Sequence, residues 1–338
     1  MSAPDRPRHD AEQRLHLVVG ATCNNNCIFC MEEDRVTRQH RVEAFTRQDF
    51  ETILQNNAGR GEVMFVSAEP TLSPWFLPLV ALARDLGYHT IGVISNGRLF
   101  AYPQFTRRAL DAGLNLVMLS IHGPNARLHD GLTRTPGSFD QVMQGLANLA
   151  ALGRDRVILR TSTVVCRRNW EPETLLEHSR LLGPRVQQMV LNVMQPFGRG
   201  LAHLDSLMPP YSELVPRLAR FYAARQPGMP PAYLVDIPYC CTEAAGIPEE
   251  FRGFVERYIY YDRKVQEGPP PTPLAPDAPP AQGPLELLTR DHEDSCNKVR
   301  FPFCQQCRHG AICDGVWRGY VARFGQAEFA AVPAPAKL

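Results

Sequence analysis

The amino-acid sequence predicts an α/β fold built on six parallel strands. Three observations carry that prediction: β-rich apolar runs alternate with longer amphipathic segments, helix-start residues precede several of those segments, and glycines follow them. The strands are expected at Leu15–Ala21, Val63–Ser67, Thr90–Ser95, Leu116–His122, Val157–Val165 and Met189–Met194. The segments of helical period are Arg47–Asn56, Trp75–Leu86, Gln104–Ala112, Ser138–Leu152 and Pro172–Leu182. Thr46, Ser73-Pro74 and Ser138-Phe139-Asp140 supply start signals, because a short polar side chain can accept from the first free helical N–H groups. Gly87, Gly113 and Gly153 supply stops, since glycine reaches the left-handed conformation that ends a helix. Strands and helices in alternation read as right-handed β-α-β units, whose ligand sites lie at the carboxyl ends of the strands.

A chain of 338 residues can bury a large core and carry a smaller second unit. A net charge of +1 gives no reason to expect nucleic acid or an acidic membrane surface as partner. Residues 1–14 read as a disordered polar tail without the apolar core of a secretory signal, and no apolar run approaches the roughly 20 residues of a membrane span. The expected compartment is the cytoplasm. Ten cysteines there are better read as metal ligands or free thiols than as disulfides.

The α/β unit is expected over 15–208. Beyond it, 209–267 reads as a helical connection with segments at Tyr211–Arg225 and Pro248–Lys264. Residues 268–284, with eight prolines in seventeen positions, read as a loop or linker. The tail, 285–338, contains Cys296, Cys304, Cys307 and Cys313.

The most specific motif follows the first strand. Cys23, Cys27 and Cys30 are spaced C-x3-C-x2-C, with Phe29 just before the last. Four thiolates close an iron–sulfur cubane or a zinc tetrahedron, whereas three leave one iron open to an exogenous ligand. A structural zinc knuckle is the plainer alternative. This run resembles the signature of the radical S-adenosylmethionine (radical SAM) enzymes. The resemblance extends along successive strand ends: Ser67-Ala68-Glu69-Pro70 resembles Gly-Gly-Glu-Pro, and Ser95-Asn96-Gly97 resembles Thr-Asn-Gly. Ser120-Ile121-His122-Gly123-Pro124 through His129-Asp130 to Arg134 resembles the family's Ser-x-Asp-Gly-Pro…His-Asp…Arg, with His122 in place of aspartate.

The resemblance implies a partial (β/α)6 TIM-like barrel with a small C-terminal cysteine-rich auxiliary-cluster domain. It implies a 4Fe-4S cluster on Cys23, Cys27 and Cys30 that binds SAM through its open iron. SAM contacts would come from Phe29, Ala68, Glu69, Ser95, Asn96, Ser120, Arg134 and, against the adenine, Met194. A guanidinium such as that of Arg134 suits a carboxylate fork. Core packing explains Met194 equally well.

Cys304-x2-Cys307-x5-Cys313 resembles the centre of the SPASM/Twitch extensions, which bind auxiliary 4Fe-4S clusters. Trp317 stands where a full SPASM domain has a further cysteine. Cys240 is the expected fourth ligand, with Cys241 and Cys296 as alternatives, and zinc suits four thiolates as well as iron does. Cys166 reads as a core residue.

The implied activity is reductive cleavage of SAM to a 5′-deoxyadenosyl radical that abstracts a substrate hydrogen. Such an enzyme takes an electron from a flavodoxin- or ferredoxin-type donor and modifies a peptide or a biosynthetic small molecule. No winged-helix segment for a leader peptide is visible before Leu15, which favours the small molecule. A non-catalytic iron–sulfur or zinc scaffold is the competing reading, opposed by the intact cysteines with Glu69, Ser120 and Arg134. No general base is identified, although Asp236, Tyr239 and Cys241 are placed to contribute.

Overall fold

The computed structural model describes residues 14–31, 45–243, 245–252, 258–263, 285–289 and 296–334. Seven strands follow one another in parallel: β1 (Leu15–Val18), β2 (Glu62–Val66), β3 (Thr90–Ser95), β4 (Leu116–Ser120), β5 (Ile158–Val165), β6 (Gln188–Val193) and β7 (Ala232–Val235). β8 (Ile259–Arg263) pairs in parallel with β1, and β9 (Leu285–Thr289) closes the nine-stranded sheet as an antiparallel edge. This is the expected mainly parallel α/β architecture.

Helices α1 (Arg47–Asn56), α2 (Phe76–Asp85), α3 (Pro103–Ala112), α4 (Ala126–Thr133), α5 (Ser138–Gly153) and α6 (Pro172–Leu182) fill the crossovers. Thr46 begins α1 with a complete capping box, its hydroxyl taking the Asp49 N–H while the Asp49 carboxylate takes the Thr46 N–H. Gly113 ends α3 at φ 118°. Gly153 ends α5 differently: it stays helical, and Arg154 takes the left-handed turn at φ 37°. Glycine is needed at 153 for space, because a Cβ there would lie 2.1 Å from Val157 Cγ1.

Alternate strand residues face the helices or the interior of the curved sheet. Val63, Phe65, Ile91, Val93, Val117 and Leu119 join the helix-side core. The interior is packed at its base, where a Cβ on Gly92 would meet Met64 and Leu116. At the carboxyl ends it opens: Val18, Val66, Ile94, Ser120, Ser162, Asn192 and Val235 are each half-buried. The mouth is thus apolar along β1–β3 and polar along β4–β6, where Asn192 Nδ2 donates to Ser162 Oγ at 2.8 Å.

Two sequence expectations need correction. The 209–267 stretch is not simply helical: after helix α7 (Gly198–Ala202), α8 (Leu204–Leu207) and α9 (Tyr211–Ala223), it returns to the sheet as β7 and β8. Of the expected helix Pro248–Lys264, the described residues form a 3-10 turn, Glu249–Phe251, and the strand β8. Ile259, Tyr260 and Tyr261 favour a pleated strand, and the open edge of β1 gives it a partner. The expected tail before Arg14 and the proline-rich stretch lie outside the described residues. Among the described residues, no helix is long and apolar enough to cross a membrane.

Candidate active site

The cysteine loop leaves the carboxyl end of β1 and is held from several sides. Asn26 N–H donates to Thr133 O at 2.9 Å and Ile28 N–H to Leu132 O at 3.0 Å, so the end of α4 anchors its middle. Asn96 Nδ2 donates to Asn24 Oδ1 at 2.6 Å and approaches Cys23 Sγ at 3.8 Å. Arg98 donates to Asn24 O and, at 3.3 Å, to Asn25 Oδ1. Arg199, on α7, reaches Asn26 Oδ1 and, at 3.1 Å, Cys27 O. None of Asn24, Asn26, Arg98 and Arg199 was picked out from the sequence. Arg98 stands next to the Asn96-Gly97 turn and was therefore findable; Arg199 carries no motif.

All ten cysteines are free thiols. Burial pushes the Cys23 and Cys27 thiols up; Glu69 and Cys30 add to this at Cys23, and Cys30 and Cys23 at Cys27. Without a cation, these thiols therefore keep their protons, and metal binding must displace them. Among the described residues no three His, Cys, Asp or Glu side chains are already gathered into a metal-ligating set. The donor chemistry nevertheless fits an iron–sulfur cluster: three soft sulfur ligands on one loop, at the mouth of the sheet.

Glu69 joins the neighbouring strand ends. It is 1% exposed. Oε1 accepts from Thr71 Oγ1 at 2.6 Å, Thr71 N–H at 3.2 Å and Ser95 Oγ at 2.8 Å, while Oε2 accepts from Asn96 N–H at 2.6 Å. Its own N–H donates to Thr22 O at 3.0 Å, next to Cys23. Burial pushes its pKa up, and the four donors oppose that rise. The loops after β2 and β3 are thus tied together by the Glu69 carboxylate, and the loop after β1 by the Glu69 backbone N–H.

Ser67 and Ala68 take φ 69° and φ 45°, the left-handed conformation that glycine adopts without cost. The backbone keeps a glycine-type course although neither residue is glycine. Left-handed residues cost about 1–2 kcal/mol, and a new glycine gives back about 0.4–1 kcal/mol through the unfolded chain. Ala68→Gly should therefore raise stability by about 0.5–1 kcal/mol. A fall in the urea midpoint would contradict this.

Ser120 ends β4 opposite Ser162 and is half-buried at the mouth. Arg134 follows α4 at φ 49°, exposed, next to the Thr133 carbonyl that holds Asn26. The His129-Asp130 pair divides its work. Asp130 accepts from Gly137 N–H at 2.7 Å, Ser138 Oγ at 2.9 Å and Phe139 N–H at 2.8 Å, which starts α5. His129 points inward, is fully buried, and accepts the His122 N–H on Nδ1 at 3.1 Å. Burial lowers its pKa to about 4 and holds His122 well below the usual value. Phe29 is buried with its ring edge-on to His122 at 4.7 Å. Met194 is 1% exposed and lies in the apolar core beside Gly200. Cys166 is fully buried in the same core.

The tail forms a second site. A pocket is lined by Cys240, Cys304, Cys307 and Cys313 together with His309, Tyr239, Phe301 and Phe329. Cys240 comes from helix α10 (Tyr239–Glu243), the other three from one loop. Hydrogen bonds from the Cys241 thiol and from the backbone N–H of Ala330 hold Cys240 below the usual thiol range, and the same thiol bond pushes Cys241 up. Cys313 is pushed up by burial. Cys241 does not line the pocket, and Cys296 is exposed elsewhere. Trp317 lies in a short hairpin, β10 (Lys298–Val299) with β11 (Val316–Trp317), under the Lys298 ammonium at 4.6 Å.

Residues 17–182 match the family model described as the Radical SAM superfamily. The probable GTP 3′,8-cyclase of Pyrobaculum aerophilum is 27% identical over 206 residues, 60% of this chain and 64% of that protein. The AdoMet-dependent heme synthase of Nitratidesulfovibrio vulgaris is 26% identical over 147 residues, 43% of this chain and 39% of that protein. The chain thus spans less than two thirds of the length of either relative. The structure titled Streptococcus suis SuiB bound to precursor peptide SuiA aligns with TM-score 0.45 and 15% identity, over 55% of this chain and 40% of that one, too loosely to bear on function. Matching family model, mainly parallel sheet and cysteine loop at its mouth agree: over residues 17–182 the chain carries a domain of the Radical SAM superfamily.

Proposed function

We propose that this protein is a radical SAM enzyme whose reducible cluster is held by Cys23, Cys27 and Cys30. The observation that carries the reading is the position of that loop. It lies at the carboxyl end of β1, braced by the ends of β2 and β3 through Glu69 and Asn96 and by the end of α4. With cluster and SAM bound, the site would supply the 5′-deoxyadenosyl radical chemistry that removes a hydrogen from the substrate. The chain's own residues bind and orient. Arg134 pairs with the SAM carboxylate, Ser120 and the loops at Ala68 and Asn96 line its bed, and the mouth of the sheet keeps water from the reacting C–H bond.

Glu69 belongs to this set as a brace, since its oxygens are taken by four donors of the chain. Phe29 packs behind the loop, and Met194, buried in the core beside Gly200, is assigned to the adenine end of the bed. Cys240, Cys304, Cys307 and Cys313 bind an auxiliary 4Fe-4S cluster, for which a pocket lined by all four is the support. Held by four thiolates, such a cluster would leave no iron open to SAM and would serve electron transfer. A flavodoxin- or ferredoxin-type protein supplies the first electron. The names of the two relatives, a GTP cyclase and a heme synthase, support a small-molecule substrate over a peptide.

Reduced, anaerobically reconstituted protein should convert SAM slowly to 5′-deoxyadenosine without added substrate, measured by liquid chromatography and mass spectrometry. Arg134→Ala should weaken SAM binding by about 1.5–3 kcal/mol, the worth of a hydrogen bond to a charged partner. Unchanged affinity would remove Arg134 from the site.

A further inference from the structure

We propose that His122 is a positioning residue that holds the cysteine loop in shape, acting with His129 as a two-histidine bracket. This rests on the preceding reading only for its consequence in the loaded enzyme. The sequence marks the position because histidine stands where the resembling family has aspartate. The structure shows what the imidazole does there.

Val164 N–H donates to His122 Nδ1 at 3.2 Å, and His122 N–H donates to His129 Nδ1 at 3.1 Å. Each ring therefore receives a backbone N–H on Nδ1, which makes both neutral, with the hydrogen on Nε2. Asn169 Nδ2 donates to His122 O at 3.0 Å and to Val164 O at 2.8 Å, closing β4 against β5. The two rings stack at 5.6 Å.

Two arms run from this bracket to the cysteines. One is direct: the His122 ring meets Phe29, between Cys27 and Cys30, at 4.7 Å and 70°. The other passes through α4. His129 fixes that helix from inside, and its last carbonyls, Leu132 and Thr133, accept the loop amides of Ile28 and Asn26 at 3.0 and 2.9 Å. An aspartate at 122 would offer an acceptor to Val164 but no ring to Phe29. Histidine supplies both, and only as the neutral tautomer that burial enforces.

The test is the reactivity of Cys27 toward iodoacetamide in the metal-free full-length chain, followed by peptide mass spectrometry. In His122→Ala the alkylation rate should rise about tenfold, the effect of weakening local closure by one buried hydrogen bond and its packing. His122→Asn, whose Oδ1 can still accept from Val164, should stay within about threefold of wild type. Phe29→Leu keeps the Val164 bond and, like His122→Asn, loses the ring contact; it should rise by about threefold, as His122→Asn does, and covers the case in which the alanine variant does not fold. In the reconstituted enzyme, the g-values of the SAM-bound reduced cluster should shift in His122→Ala and return in His122→Asn. Wild-type alkylation rates in folded His122→Ala, or in Phe29→Leu, would overturn the bracket. Failure of the wild type to load iron on the loop would defeat the cluster reading and leave the alkylation result standing.

Discussion

Replacing Cys23, Cys27 and Cys30 together by alanine should lower iron from about eight to about four atoms per chain and abolish 5′-deoxyadenosine formation. The expectation follows from separation of the two cysteine groups. The first comes from one loop after β1, the second from α10 and the tail loop around one pocket. The loop itself should survive the change, because it keeps its backbone bonds to Leu132 and Thr133 and its bond from Arg199. Of the thiol contacts it loses those of Cys23 Sγ with Asn25 N–H and Asn96 Nδ2. A soluble triple variant with full iron would sink the assignment of this loop. A wild type holding about four irons and one zinc would instead make the tail a structural zinc site.

The second large effect separates Cys240 from Cys296. Cys240→Ser should remove the auxiliary cluster, because serine withdraws a soft ligand from a site that iron–sulfur chemistry needs closed. Iron should then fall to about four atoms per chain while substrate-independent SAM cleavage continues. Cys296→Ser should leave about eight, since that residue is exposed and outside the pocket. Because metal binding and folding are coupled, the Cys240 variant should also lose protease resistance in the tail. Iron loss from Cys296→Ser with retention in Cys240→Ser would reverse the ligand assignment. The Cys304→Ala, Cys307→Ala double variant should match Cys240→Ser, with turnover of the true substrate lost in both.

Much of the α/β frame was legible because its signals are local. The spans of β3 and α6 agree to the residue with expectation, since an apolar run and a helix opened by Pro172 are read over a few positions. Other elements escaped for equally physical reasons. α4 is eight residues long, holds Gly131, and lies inside a motif that drew attention to its chemistry. β7 has four residues, too few for a period, and β8 follows a segment whose polar and apolar spacing suited a helix. Strand-edge pairing with β6 and β1 decided both.

At the site, sequence by itself marked the candidates: three cysteines and their spacing, Glu69, Asn96 and Ser120 at strand ends, and Arg134 beyond the following helix. Those are properties of residue type and of order along the chain. Tertiary structure alone decided that Glu69 spends its carboxylate on four chain donors and that Cys240, 64 residues before Cys304, faces the tail cysteines while Cys296 does not. It also decided that His122 accepts a strand amide and backs Phe29. The physical reason is range. Hydrogen bonds and ring contacts act over a few ångströms in space between residues tens of positions apart, and only the packing of strand against strand brings such residues within that distance.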